Sequence, residues 1–219
     1  MTDTFYRVFY AVDVKLFSAW GAWIGAALFL MLVERLSVPP NSLDCQILGL
    51  SHRFKSIQLD HFFSVITWGG SLYLLMPVTL LIIGLLAKQG RIGGGLFLAL
   101  SLAGVALLCR LAKLWFARPR PDLFPVDGDI PLDPSYPSAH TAQIVTFVLA
   151  LGWIAKPEKI GLIYFLLMGG LVMLMSAVIL SRIYLQVHYP SDVLGGILLA
   201  ALWTAGLFYM LEIPGFTVR

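Results

Sequence analysis

Charge is what this sequence has least of. Only 12% of its 219 residues are Asp, Glu, Lys or Arg, about half of the ~25% usual in soluble domains. Such a chain cannot coat a globule with water-facing groups. Its net charge of +3 offers no broad basic surface, which excludes a nucleic-acid partner. Cysteine is scarce too: Cys45 and Cys109 are the two present, and they form no CxxC pair, so neither a zinc ribbon nor a disulfide framework is expected. The first fifteen residues scatter Asp3, Arg7, Asp13 and Lys15 among apolar ones. They lack the charged-then-apolar layout of a cleaved signal peptide, so the first apolar run is expected to be retained.

Apolar sequence fills the space that charge leaves. Leu16–Val33, Phe62–Ala87, Ile92–Cys109, Ile160–Ser181 and Val193–Leu211 contain no charged residue. Each is near or above the ~18 residues at which an apolar stretch reads as a membrane span. Thr141–Ala155 is shorter and reaches that length only if its helix starts near Ser138. The expectation is an all-α polytopic membrane protein, a six-helix bundle forming a single membrane-embedded domain over 1–219, with its motif-bearing core at about 60–211. Between spans one and two, Pro39-Pro40 and Asn41-Ser42 announce a helix start. Leu43, Ile47, Leu50, Phe54 and Ile57 then recur at spacings of four and three, with Asp44, Ser51, Arg53 and Lys55 off that stripe. This segment reads as a short amphipathic helix at the membrane surface, or one packed on its own protein. A second long connection, Ala117–Pro137, carries six prolines with Asp122, Asp127, Asp129 and Asp133. It reads as a rigid, solvated, acidic loop.

Alternation of the spans sends the end of span three, the start of four, the end of five and the start of six to one side of the membrane. Those places hold Lys113 and Arg120, Ser138 and His140, Arg182, and His188 with Asp192. Ionisable residues near a bilayer are costly and mark function. Lys113, Arg120 and Arg182 bring positive charge and many donors, which suits the oxygens of a phosphate group. Pro137-Ser138-Ala139-His140 opens a helix, where free N–H groups and the dipole favour an anion. Asp192 follows His188 by about one turn and can hold one imidazole nitrogen, leaving the other free to attack. His140, from another helix, could protonate a departing oxygen. A metal bound by His140, His188 and Asp192 would sit among three cations with one carboxylate, fewer than metallophosphatases bring to their ions. The reading is therefore metal-free. Arg110 and Arg118 have no assigned role beyond interface anchoring or pairing with loop carboxylates, and His52 and His61 are read as structural.

With these residues in place, the sequence resembles the type 2 phosphatidic acid phosphatase (lipid phosphate phosphatase) family in its bacterial membrane branch. These proteins are relatives of bacterial acid phosphatases and vanadium haloperoxidases. The family's K-x6-R-P appears as Lys113 to Arg120-Pro121, its P-S-G-H as Pro137-Ser138-Ala139-His140, and its S-R-x5-H-x3-D as Ser181-Arg182, His188 and Asp192. The resemblance implies that His188 attacks phosphorus to form a phosphohistidine, oriented by Asp192. It implies that His140 serves the leaving group and then water. Lys113, Arg120, Ser138, Ala139 and Arg182 would hold the phosphate, with no cofactor. Alanine at 139 replaces the usual glycine. This is harmless if only its N–H is needed, and costs about a kcal/mol or more if a positive φ is required. The expected substrate is a membrane lipid phosphate or diphosphate. A lipid-to-lipid phosphotransferase or a non-enzymatic lipid transporter are the alternatives.

Orientation follows from loop charge. The side of the termini carries seven Lys or Arg, and the motif side eight, of which three are assigned to phosphate, leaving five. This bias, with the resemblance, places the termini in the cytoplasm. The expected location is the inner (cytoplasmic) membrane, with the active site on the periplasmic or extracellular face.

Overall fold

The computed structural model describes residues 41–124, 132–155 and 161–211, with Gly21, Trp23, Gly25, Phe29 and Leu32 from the first apolar run. The expectations for the first fifteen residues and most of span one therefore lie outside the described residues. Seven helices are present among the described residues, and no strand. They are α1 (Ser42–Arg53), α2 (Ile57–Ile66), α3 (Leu72–Lys88), α4 (Ile92–Phe116), α5 (Ala139–Ile154), α6 (Leu162–Tyr184) and α7 (Pro190–Leu211).

Helix α1 starts where Asn41 predicts, its side-chain oxygen accepting the Asp44 N–H at 2.7 Å. Leu43, Ile47, Leu50, Phe54 and Ile57 are all exposed, while Asp44 and Leu48 are buried. The apolar stripe thus faces outward and the one carboxylate of the helix faces in, an arrangement suited to apolar rather than aqueous surroundings. His52, read as structural, stacks on Phe124 with centroids 4.1 Å apart.

The run Phe62–Ala87 was expected as one helix, and the structure corrects this. A 3-10 turn, Thr67–Gly70, ends the first part, and Ser71 caps α3 through the Tyr73 N–H. The two parts meet at 45°. The cause is local. Gly69 and Gly70 are weak helix formers, and a Cβ at Gly70 would lie 2.7 Å from Val178 and 2.8 Å from the His140 carbonyl oxygen. The broken backbone is pressed against the start of α5.

Helix α5 is the central element, packed against α7, α4 and α6, with every residue from Thr141 to Val148 buried. A helix apolar on all sides requires such enclosure. By contrast α6 buries only Val178, Ser181, Arg182 and Tyr184, leaving Leu162, Ile163, Phe165, Leu166, Leu167 and Met173 outward. Apolar exposure on this scale is foreign to a soluble monomer. Helices α4, α6 and α7 are each long and apolar enough to cross a membrane, as is the bent pair taken together, whereas α5 is shorter. Trp23 stacks on Trp203 of α7 at 5.6 Å, which seats part of the first apolar run against the last helix.

Candidate active site

The connections after α4, before α5 and between α6 and α7 meet at one end of the bundle. Helix α4 stops at Ala117, whose left-handed conformation (φ 47°) turns the chain into Arg118-Pro119-Arg120-Pro121. Between α6 and α7 a second left-handed residue, Gln186 (φ 60°), turns the chain sharply. Its amide donates to the Leu48 and Ile183 carbonyls. Two residues later His188 is delivered to the interior, only 2% exposed, and Pro190 opens α7.

These turns surround a cavity of about 210 Å³ lined by Lys113, Arg120, Arg182, Ala139, His140 and His188, together with Ser71, Leu72, Tyr73, Asp133 and Gln143. Six of the eight residues expected at the site therefore share one lining. Of the other two, Asp192 sits directly behind His188, its Oδ2 3.4 Å from the imidazole Nδ1. Ser138 lies off the lining, fully buried. Its hydroxyl accepts from Thr141, and its backbone N–H donates to the Asp192 carbonyl at 3.0 Å. Ala139 is the first residue of α5, and it is not among the residues of positive φ. Alanine there carries no strain.

The Nε2 of the His188 imidazole lies 3.4 Å from Arg120 Nη1. Its Nδ1 faces Asp192 and, at 3.4 Å, the Ser135 hydroxyl. Burial first, then the positive charges of Arg182, Arg120 and Lys113, hold the His188 pKa well below the usual 6.5. The ring is therefore neutral, with a lone pair available at neutral pH. Arg120 also donates to the Val187 carbonyl at 2.7 Å, and Arg182 donates to Thr67 Oγ1 in the broken span.

Several functional neighbours escaped the sequence reading. Asp133 is not simply a solvated loop carboxylate, because it spans two cations: its Oδ2 is 2.9 Å from Lys113 Nζ and its Oδ1 2.7 Å from Arg120 Nη2. Burial raises its pKa, but bonds and charge from Lys113 and Arg120 prevail and bring it to about 2. Arg118, left without a role, is buried between two carboxylates, donating to Asp192 Oδ1 at 2.6 Å and Asp44 Oδ2 at 3.1 Å. Ser135 donates to Asp192 Oδ2. The one hint was position, since Asp133 and Ser135 immediately precede the Pro137–His140 motif and Arg118 lies inside the first motif. Among the described residues, no group of three His, Cys, Asp or Glu side chains is placed to hold a metal ion.

Comparison with known proteins identifies the class these features define. Residues 94–214, more than half of the chain, match the PAP2 superfamily, and the chain belongs to that family. It is 27% identical to phosphatidylglycerophosphatase B of Bacillus subtilis over 162 residues, 70% of this chain and 74% of that protein. A putative undecaprenyl-diphosphatase of Escherichia coli, YbjG, is 44% identical over 68 residues, 30% of this chain and 29% of that one. The fold resembles the crystal structure of a transmembrane PAP2 type phosphatidylglycerolphosphate phosphatase from Bacillus subtilis. That match has a TM-score of 0.69 at 23% identity and covers 84% of this chain and 92% of that chain. The protein is thus a membrane protein of the PAP2 superfamily, with helices and no strand among its described residues.

Proposed function

We propose that the protein is an integral-membrane hydrolase of lipid mono- or diphosphates that works without metal through a phosphohistidine. The observation that carries this reading is the face of His188. One nitrogen is backed by Asp192 and the other is presented to a cavity with Lys113, Arg120 and Arg182. In the first step Nε2 attacks phosphorus and the bond from phosphorus to the lipid oxygen breaks. The leaving oxygen takes a proton from His140, which shares the cavity with the three cations and becomes protonated once the negative charge of the bound phosphate offsets them. In the second step His140 removes a proton from water, the water oxygen attacks the phosphohistidine, and inorganic phosphate leaves with His188 restored. Lys113, Arg120, Arg182 and the N–H of Ala139 hold the phosphoryl oxygens, where charge spreads in the transition state. Ser138 contributes through the start of α5 rather than by its hydroxyl.

The same reading covers the whole chain as one domain. It has six spans, with the run Leu16–Val33 as the first, the bent α2–α3 pair as the second and α5 as a short fourth. Helix α1 lies at the membrane surface, its apolar stripe toward lipid. Termini are cytoplasmic, and the cavity opens on the periplasmic or extracellular face. The names of the relatives support lipid phosphates as the substrate class.

The experiment is phosphate release from a panel of lipid phosphates and diphosphates by the purified protein, with and without EDTA. Release unaffected by the chelator is expected. His188→Ala should lower it by at least ~10³-fold, and acid-labile phosphate should be trapped on the wild-type histidine. Phosphate passed to an acceptor lipid would make the protein a transferase, and His188→Ala with near-normal turnover would overturn the mechanism.

A further inference from the structure

Asp192 has no solvent exposure, yet both its oxygens are held. Oδ1 accepts from Arg118 Nη1 at 2.6 Å. Oδ2 accepts the Tyr189 N–H at 2.8 Å and the Ser135 hydroxyl, and faces His188 Nδ1. The carboxylate therefore cannot rotate away from the imidazole without breaking these bonds. Arg118 is fixed in turn. Its Nη1 also donates to Ser191 Oγ at 2.8 Å, its Nη2 donates to Asp44 at 3.1 Å, and its plane lies 4.3 Å over the Tyr189 ring. Asp44 closes the circuit by accepting the Ser191 N–H at 3.0 Å and the Ser191 hydroxyl at 2.7 Å. Arg118 is 2% exposed and does not line the cavity, so it reaches no phosphate. Arg120, two residues on, lines the cavity.

Resting on the phosphohistidine reading above, we infer that Arg118 and Asp44 are positioning residues: the guanidinium bridges Asp192 to Asp44 on α1 and thereby aligns His188 for attack. Two carboxylates around one guanidinium leave a net negative charge behind the imidazole. That charge suits the ring that forms when phosphorus bonds to Nε2 while Nδ1 keeps its proton, since the ring is then cationic. A lone buried carboxylate would be costly and free to reorient. The guanidinium fork prevents both, and a lysine ammonium, a point charge, cannot match its geometry. Helix α1 thereby becomes part of the catalytic scaffold, although it carries no residue that touches substrate. A merely structural bridge would alter stability alone, whereas alignment alters the chemical step.

The test uses the full-length protein in detergent. Arg118→Lys should lower kcat by about 10- to 100-fold, the range a misplaced reacting group costs. KM for a lipid phosphate and the Ki for vanadate should stay within about threefold, because the cavity cations are untouched. Asp44→Asn, nearly isosteric, should lower kcat less but with the same unchanged vanadate affinity. It decides the matter if Arg118→Lys does not fold. ¹⁵N spectra of the His188 ring read alignment without turnover: the Nδ1–H tautomer should be fixed in the wild type and lost or mixed in Arg118→Lys. Wild-type kcat and tautomer in a folded variant would overturn the inference, as would a change confined to KM. If the wild type turns over no lipid phosphate yet shows this tautomer difference, the phosphatase reading fails and the positioning inference stands.

Discussion

An imidazole surrounded by three cationic side chains is held neutral, and His188 is in that position. Its burial, then Arg182, Arg120 and Lys113, depress its pKa well below 6.5. The nucleophilic form should therefore persist into acid. With rates referred to the substrate dianion, the acid limb of kcat/KM, which reports the free enzyme, should lie well below the ordinary histidine value of 6.5. A limb at 6.5 would place the titrating histidine outside this environment. The same depression means that the unfolded chain binds a proton at His188 that the folded chain refuses. Stability should then decline as pH falls through 6.5. Five side chains facing the cavity, Lys113, Arg120, His140, Arg182 and His188, were legible from spacing and span parity because polar residues are rare enough here to stand out. Asp133, Arg118 and Asp44 were not. A carboxylate in a loop looks solvated, and nothing in local sequence says that Asp44 will meet Ser191 at the far end of the chain.

At the scale of elements, close approach explains what hydropathy does not. In α7, a Cβ on Gly195 would stand 2.6 Å from the Tyr136 ring, and one on Gly196 would stand 2.7 Å from the Ser138 carbonyl oxygen. These two positions let the last helix lie against the segment that leads into α5. Gly196→Ala should lower stability by about 1–3 kcal/mol, the usual result of overpacking. It should also reduce turnover, because the displaced backbone carries Ala139 and His140. Gly170→Ala in α6, where a Cβ would meet nothing within 4 Å, should be neutral or stabilise by up to about 1 kcal/mol. Thermal unfolding in one detergent compares both, and equal effects would show that packing at the helix start is not limiting. The broken span was invisible for a similar reason. No charged residue interrupts Thr67–Ser71, so the run reads as continuous, but the Gly69-Gly70 pair weakens the helix there and the close approach to His140 completes the break.

For the whole molecule, the outward apolar faces of α1 and α6 and the enclosed α5 leave the cavity at the ends of the helices, where the proposed lipid substrate would present its headgroup. Binding of the tail can then help position the phosphate. Replacing a long-chain lipid phosphate by its headgroup alone should lower kcat/KM by at least about tenfold, equivalent to about 1.4 kcal/mol. Equal efficiency on both would point to a general phosphatase that happens to reside in a membrane. The Asp133 bridge has a further consequence, for exchange rather than attraction. Lys113 and Arg120 are not bare in the empty cavity, since each already holds a carboxylate oxygen. An arriving anion gains only the difference between its own pairing and the one it disturbs. Chloride, with one point of charge and no fork of oxygens, has little to offer in that trade, whereas a phosphoryl group can replace both contacts at once. In the proposed reaction the same carboxylate is at hand to reclaim the cations at the end, so inorganic phosphate would depart from a site that never has to become an empty positive hole.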